Sequence, residues 1–247
     1  MMQDIVAAVI AAALIGTAVM ARRWWKREAP LALTGQVDVP KAWELALPSV
    51  ENLPSSVPAD KRTYMPLYWL LRHQGAADFE ATTVKLLVEN RSEQPLTITD
   101  ITVRKVSEDE PFSAAWVRYP PAGAAEALVL DFRLDDDAPA AWSATYDSLA
   151  ARLTRTGERP YFDDHVIMLT PGESQALRIT GRAENIRCSW RLEVETIQSG
   201  KRVVTEVRPE GGVFHTSGAP PNGFESRWEW SWYRNTEACF EPPPYDA

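Results

Sequence analysis

The chain reads as a mainly β protein: one N-terminal transmembrane helix, then an immunoglobulin-like β-sandwich carrying one inserted α-helix. Three observations predict this. Residues 5–21 run for 17 positions without a charge. From Thr83 onward the apolar residues recur with period two, the signature of half-buried strands. Between these regions prolines recur every four to ten residues, a spacing that blocks long helices.

The N-terminal run lies at the short end of what crosses a bilayer at 1.5 Å per residue. Its seven alanines make it only weakly hydrophobic. Arg22, Arg23, Trp24, Trp25, Lys26 and Arg27 follow at once, and a membrane–water interface favours that mixture of cations and indoles. A cleaved signal peptide would need a basic leader, and Met1-Met2-Gln3-Asp4 has no basic side chain. The expectation is an anchor over residues 1–27, with the lipid bilayer as partner of residues 5–21. The four bases on its C-terminal flank place the large domain in the cytoplasm by the positive-inside rule, the opposite topology being the alternative.

Charge narrows the partners. The net charge is −8, but residues 1–27 carry +3, leaving −11 on the body. A body that acidic repels phosphate backbones, so nucleic acid is not an expected partner. Cys188 and Cys239 are too few for a disulfide framework or a structural zinc site. They form one bridge in an oxidising compartment or stay as free thiols in a reducing one.

Residues 28–62 read as a proline-rich linker (Pro30, Pro40, Pro48, Pro54, Pro58), with room for one helical turn at 41–47. Residues 66–73 suit a short helix ended by Gly75. The β domain is expected over 63–240. Val84, Leu86 and Val88 alternate with polar residues, turn at Asn90–Pro95, and resume as Leu96-Thr97-Ile98-Thr99. The phase slips at Asp100, which predicts a bulge. Further strands are expected at 112–118, 127–133, 165–169, 175–180, 187–196, 202–208, 213–216 and 227–233, seven to nine in all. Thr170-Pro171-Gly172-Glu173 and Ser199-Gly200 supply turns. In 187–196, Cys188, Trp190, Leu192, Val194 and Thr196 share one face and charged residues the other. Trp142, Tyr146, Leu149 and Leu153 fall at helical spacing. Asp137 as cap, Pro139 in the first turn and Gly157 beyond the end predict the inserted helix over about residues 139–156.

The hairpin of Val84–Val103, with its Asn–polar–Pro turn before a Leu-x-Ile run, resembles the opening hairpin of immunoglobulin-like and fibronectin-like modules of bacterial envelope proteins. That resemblance implies an architecture and carries no functional residue with it.

Candidate sites are sparse. Asp163, Asp164 and His165, with Asp131 and Asp135–Asp137 elsewhere, offer oxygen and imidazole donors for a metal. They would suit a metal-assisted hydrolase. The bland reading is two solvated loops. His73, His165 and His215 with nearby serines allow a Ser-His-Asp site on paper, without a Gly-x-Ser-x-Gly elbow. Trp228, Trp230 and Trp232 alternate on one strand and form one aromatic face. That face is either core or a platform for a protein or glycan partner. Pro242-Pro243-Pro244-Tyr245, in the tail 241–247, fits the pattern read by WW grooves. No cofactor motif is present, and the sequence specifies no oligomeric state. The expected function is a non-enzymatic, membrane-anchored interaction module, with a structural subunit of an envelope complex as another reading.

Overall fold

The computed structural model describes residues 31–39, 43–54, 57–58, 63–119, 129–147, 152–207, 209, 212–230 and 240–241. The expected anchor at 5–21, the basic-aromatic flank Arg22–Arg27, Trp232, Cys239 and the Pro242–Tyr245 motif lie outside them. Among the described residues no helix is long and apolar enough to cross a membrane.

The architecture is mainly β, with more strands than the seven to nine expected. Among the described residues sixteen strands form two sheets. In the six-stranded sheet the order is β1 (Leu31–Val37), β4 (Ala81–Asn90), β11 (Ser174–Arg182), β7 (Val129–Arg133), β8 (Trp142–Asp147) and β9 (Arg152–Arg155). In the ten-stranded sheet it is β10 (Ile167–Leu169), β5 (Leu96–Asp109), β12 (Arg187–Gln198), β14 (Phe214–Ser217), β3 (Ala77–Phe79), β2 (Trp43–Leu47), β6 (Ala115–Tyr119), β15 (Ser226–Trp230) and β16 (Phe240–Glu241). The tenth strand, β13 (Lys201–Val207), pairs with β12 beside β14.

Two cores result. The first is filled from both sheets: Val84, Leu86, Leu130, Phe132, Leu177 and Ile179 meet Ile98, Ile101, Trp190, Leu192 and Val194. This is a sandwich arrangement, with inward faces interdigitating. The second lies under helix α1 (Tyr64–His73), where Leu67, Tyr68 and Leu71 pack on Trp43, Leu45, Leu47, Val117, Tyr119 and Trp230. Leu67 and Leu71 are one turn apart and so share a face. Pro66 is tolerated because it falls in the first turn. The helix stops in a Schellman motif: Gly75, at φ +94°, donates to the Arg72 carbonyl and Ala76 to that of Leu71.

Several expectations change. The segment 28–62, read as linker, contributes β1 and β2, and the helical turn at 41–47 is instead strand β2. Trp43, Leu45 and Leu47 alternate inward there, a period the prolines obscured. The inserted helix over 139–156 is instead the hairpin β8–β9, with Tyr146 opposite Leu153. Residues spaced seven apart fit two helical turns, but they also face each other across a hairpin. Parallel pairs β7/β11, β3/β14 and β6/β15 depart from the antiparallel immunoglobulin-like plan. The bulge at Asp100 is present: Glu195 opposes Asp100 and Thr196 opposes Ile98, leaving Thr99 as the extra residue. A second slip leaves Val106 between Lys105 and Ser107, which accounts for its 50% exposure.

Candidate functional site

The residues nominated as metal ligands do not converge. Asp163 and Asp164 sit on α2 (Tyr161–Asp164), a single turn. His165 follows, its ring stacked on Tyr161 at 4.8 Å and its Nδ1 donating to the Tyr161 carbonyl at 3.1 Å. Asp164 and His165 help line a cleft of 160 Å³ with Ser143, Arg159 and Tyr161. Asp131 is fully buried elsewhere and accepts from Arg155 at 2.7 Å and from Arg182 at 2.6 and 2.7 Å. Asp135 accepts from the backbone N–H groups of Glu184 and Asn185, both at 2.8 Å. Among the described residues no group of three or more His, Cys, Asp or Glu side chains is placed to hold a metal ion. The acids that looked like one donor set are divided among an ion cluster, a loop brace and a solvent-facing turn.

The tryptophan face is largely core. Trp230 is 5% exposed and meets Phe240 edge-on at 5.3 Å. Trp228 is half-buried against the same core, and its Nε1 donates to Ser226 Oγ at 3.1 Å. A stacking platform needs open ring faces, and Trp230 has none to offer.

Cys188 is buried, and among the described residues its thiol is free; Cys239, its expected alternative partner, lies outside them. Burial pushes its pKa up to about 11, so the thiolate that reacts is scarce at neutral pH.

A polar constellation that the sequence did not reveal lies where the two cores meet. Trp190 Nε1 donates to Thr216 Oγ1 at 2.9 Å, and the Thr216 and Thr82 hydroxyls are 2.7 Å apart. Thr82 donates to Asp78 Oδ2 at 2.7 Å, while Tyr68 donates to Asp78 Oδ1 at 2.7 Å. Every donor in this chain points toward one buried carboxylate, whose pKa burial raises. Beside it, Arg72 donates to the carbonyls of Ala76 and His215 at 2.8 and 3.2 Å.

Next to this chain, Ser189 Oγ lies 3.0 Å from His215 Nδ1, the reach of a nucleophile and its base. Burial, then Arg72 and Arg187, lower the His215 pKa to about 4, so the imidazole is neutral at physiological pH. The third member is missing: Asp78 accepts from Tyr68 and Thr82, and among the described residues no carboxylate bonds the His215 ring. Ser189 and His215 stand opposite each other on β12 and β14, so their bond ties the two strands. His73, the remaining histidine, bonds the Trp69 carbonyl within its own helix. No spacing in the sequence signals this constellation, because β3, β4, β12 and β14 bring its members together from segments more than 100 residues apart.

The surface is distinctive at one end of the sandwich. Gln198 Nε2 donates to Ser92 Oγ, and Ser199 Oγ to Gln94 Oε1. Asn90 Nδ2 donates to the carbonyls of Gln94 and Leu169, and Gly172 N–H to the Asn90 carbonyl. The turns at 91–95, 170–173 and 199–200 are thereby tied into one end. Leu31, the first described residue, pairs with Asn90 at this end. Met168 and Ile197, both exposed, flank Thr97 in the same cross-strand row.

Compared with protein-family models, curated proteins and solved structures, the chain matches none of them.

Proposed function

We propose that this chain is a non-enzymatic, membrane-anchored interaction module whose β body is held with its turn-lined end toward the bilayer. The observation that carries this reading is the register of Leu31 on Asn90. It puts the chain's entry point at the end where the three turns meet. Only residues 28–30 separate Leu31 from the basic-aromatic flank ending at Arg27. Four residue steps span at most about 14 Å, so an inserted 5–21 segment would hold that end close to the headgroups. The exposed Met168 and Ile197 lie near it, and apolar side chains there suit a lipid surface or a neighbouring protein.

The positive-inside rule favours the cytoplasmic side for the body. The packing of β4 and β11 against β5 and β12 shares its two-sheet layering, but not its strand order, with immunoglobulin-like binding modules, an associational argument. The proposed partner is a protein or a glycan.

Carbonate extraction of membranes tests the anchor. The full chain should stay in the pellet, and the same chain lacking residues 5–21 should be released. A full-length, uncleaved product in the soluble fraction without detergent refutes the reading. Alkaline phosphatase fused to the C-terminus should be inactive, and high activity would refute the cytoplasmic side.

A further inference from the structure

We infer that β13 is a self-complementary edge through which two copies of this chain join their ten-stranded sheets in antiparallel register, with Val204 on the two-fold axis. The inference concerns a surface apart from the anchor and does not depend on it.

Among the described residues β13 has a strand on one side only, β12. In the ten-stranded sheet the edges at β10 and β16 are three and two residues long, whereas β13 has seven; the other seven-residue edge, β1, holds Gly35 next to its centre and the apolar Leu31, Leu33 and Val37 packed on the first core. An unpaired edge of that length is a template for another strand unless something blunts it. β13 contains no proline, and its register against β12 runs without a slip from Gln198/Lys201 to Leu192/Val207. Val203 and Val204 are 51% and 54% exposed in the middle of it.

The turn decides which backbone groups are free. Ser199 and Gly200 have φ +49° and +74°, the two positive values of a type I′ hairpin. The turn bond makes Gln198 and Lys201 a hydrogen-bonded pair, and such pairs alternate along an antiparallel ladder. Lys201, Val203, Thr205 and Val207 therefore direct N–H and C=O toward β12. Arg202, Val204 and Glu206 direct theirs outward.

A second copy meets that pattern. Placing Val204 opposite Val204 sets Arg202 opposite Glu206 of the second copy, and Glu206 opposite its Arg202. All three are hydrogen-bonded pairs made of outward-facing groups, giving six main-chain bonds. Each arginine then joins Arg191, already 2.9 Å from Glu206, at that carboxylate. Within one copy Arg202 reaches Glu195 and is 70% exposed, free to turn to the edge. Opposite charges directly across a ladder stabilise the pairing and like charges oppose it. The in-register parallel alternative would set Arg202 against Arg202 and Glu206 against Glu206, so the charges select the antiparallel alignment. Each copy uses the same edge, so the contact closes as a dimer instead of propagating.

The test uses the full chain in nonionic detergent. Sedimentation velocity between about 1 and 100 µM should show a concentration-dependent monomer–dimer equilibrium. Arg202→Glu should weaken it by roughly tenfold or more. Oxidation of Val204→Cys should give a linked dimer, because hydrogen-bonded partners have Cα atoms about 5.5 Å apart, within disulfide reach. Val203→Cys should not, since in this register the two positions are offset by about 8 Å. The unsubstituted chain, oxidised alike, controls for Cys188 and Cys239. A monomer across the whole range, or linkage equal at 203 and 204, overturns the proposal.

Discussion

Asp131 gives the sharpest test of how the six-stranded sheet is held. Its carboxylate is 0% exposed and receives three guanidinium bonds, one from Arg155 and two from Arg182. Both arginines are about one-quarter exposed. Arg155 also lies over the Trp142 ring at 5.1 Å. Asp131→Ala would leave two half-buried cations facing each other with nothing between them. Removing one member of a buried pair costs roughly 3–5 kcal/mol, because the remaining charge stays desolvated. For a chain of this size that is a fall of roughly 6–20 °C in melting temperature. Asp131→Asn keeps the shape but presents amide hydrogens to guanidinium hydrogens, so it should fall in the same direction. The triple change Asp131→Leu, Arg155→Met, Arg182→Met should recover most of the loss, since apolar side chains of similar volume replace buried ion groups at little cost. Scanning calorimetry of the full chain in detergent, with circular dichroism at 218 nm as a check on fold, reads all three. A melting temperature for Asp131→Ala within about 1 °C of the parent would refute the reasoning.

Three further outcomes follow from single contacts. Trp230→Ala should cost about 3–5 kcal/mol in chemical denaturation, since Trp230 fills the second core against Tyr119 and Phe240; a folded variant of unchanged stability would restore the platform reading. Gly181→Val should destabilise by at least about 1–3 kcal/mol and alter the near-ultraviolet dichroism of Trp190, because a β-carbon at 181 would lie 2.6 Å from that ring. His215 has a pKa lowered from 6.5 to about 4 in the fold, so the unfolded chain binds the extra proton. Its contribution is fully present above pH 6.5 and is lost as pH falls toward 4. Stability measured across that window should decline, and the decline should be shallower in His215→Gln. An identical slope in the variant would remove His215 as the cause.

The strands were legible where the chain is wet on one face. In β12 alternation gave the buried set Cys188, Trp190, Leu192, Val194 and Thr196, and all are buried. The bulge showed because one extra residue reverses the phase, which a period-two pattern records directly. Where a strand is covered on both faces the signal fades. In β7 Val129, Leu130, Asp131 and Phe132 are buried in succession, so the strand expected at 127–133 showed as an apolar run and its faces could not be read from periodicity. β2 was lost among prolines, and β8 and β9 were lost because seven-residue spacing fits both a helix and a hairpin. The candidate site was less legible still. Asp163 and Asp164 looked informative because they adjoin His165, yet adjacent residues on a turn do not share a focus. Asp78 and Thr82 looked ordinary because Thr216, which joins Thr82 to Trp190, comes from more than 130 residues further along the chain.

The chain of bonds from Trp190 to Tyr68 bears on why this fold has one arrangement of its two cores. Trp190 belongs to the first core and Tyr68 to the second. The two halves share one sheet, but the ladder that joins them is only two residue pairs long, Thr216 beside Asp78 and Ser217 beside Phe79, and apolar contacts are non-directional, so main chain and packing alone hold that register weakly. Asp78 fixes it. Its two oxygens accept from Tyr68 and Thr82 at 2.7 Å each, and a slip of one residue would strand a buried carboxylate, with the full desolvation penalty. The network need not add net stability to do this. Burial raises the Asp78 pKa and so disfavours the charge, with the Arg72 guanidinium and then the hydrogen bonds from Thr82 and Tyr68 only partly offsetting it. What the network supplies is a large difference between the correct docking and its neighbours, which is specificity in the sense that buried polar groups can confer it.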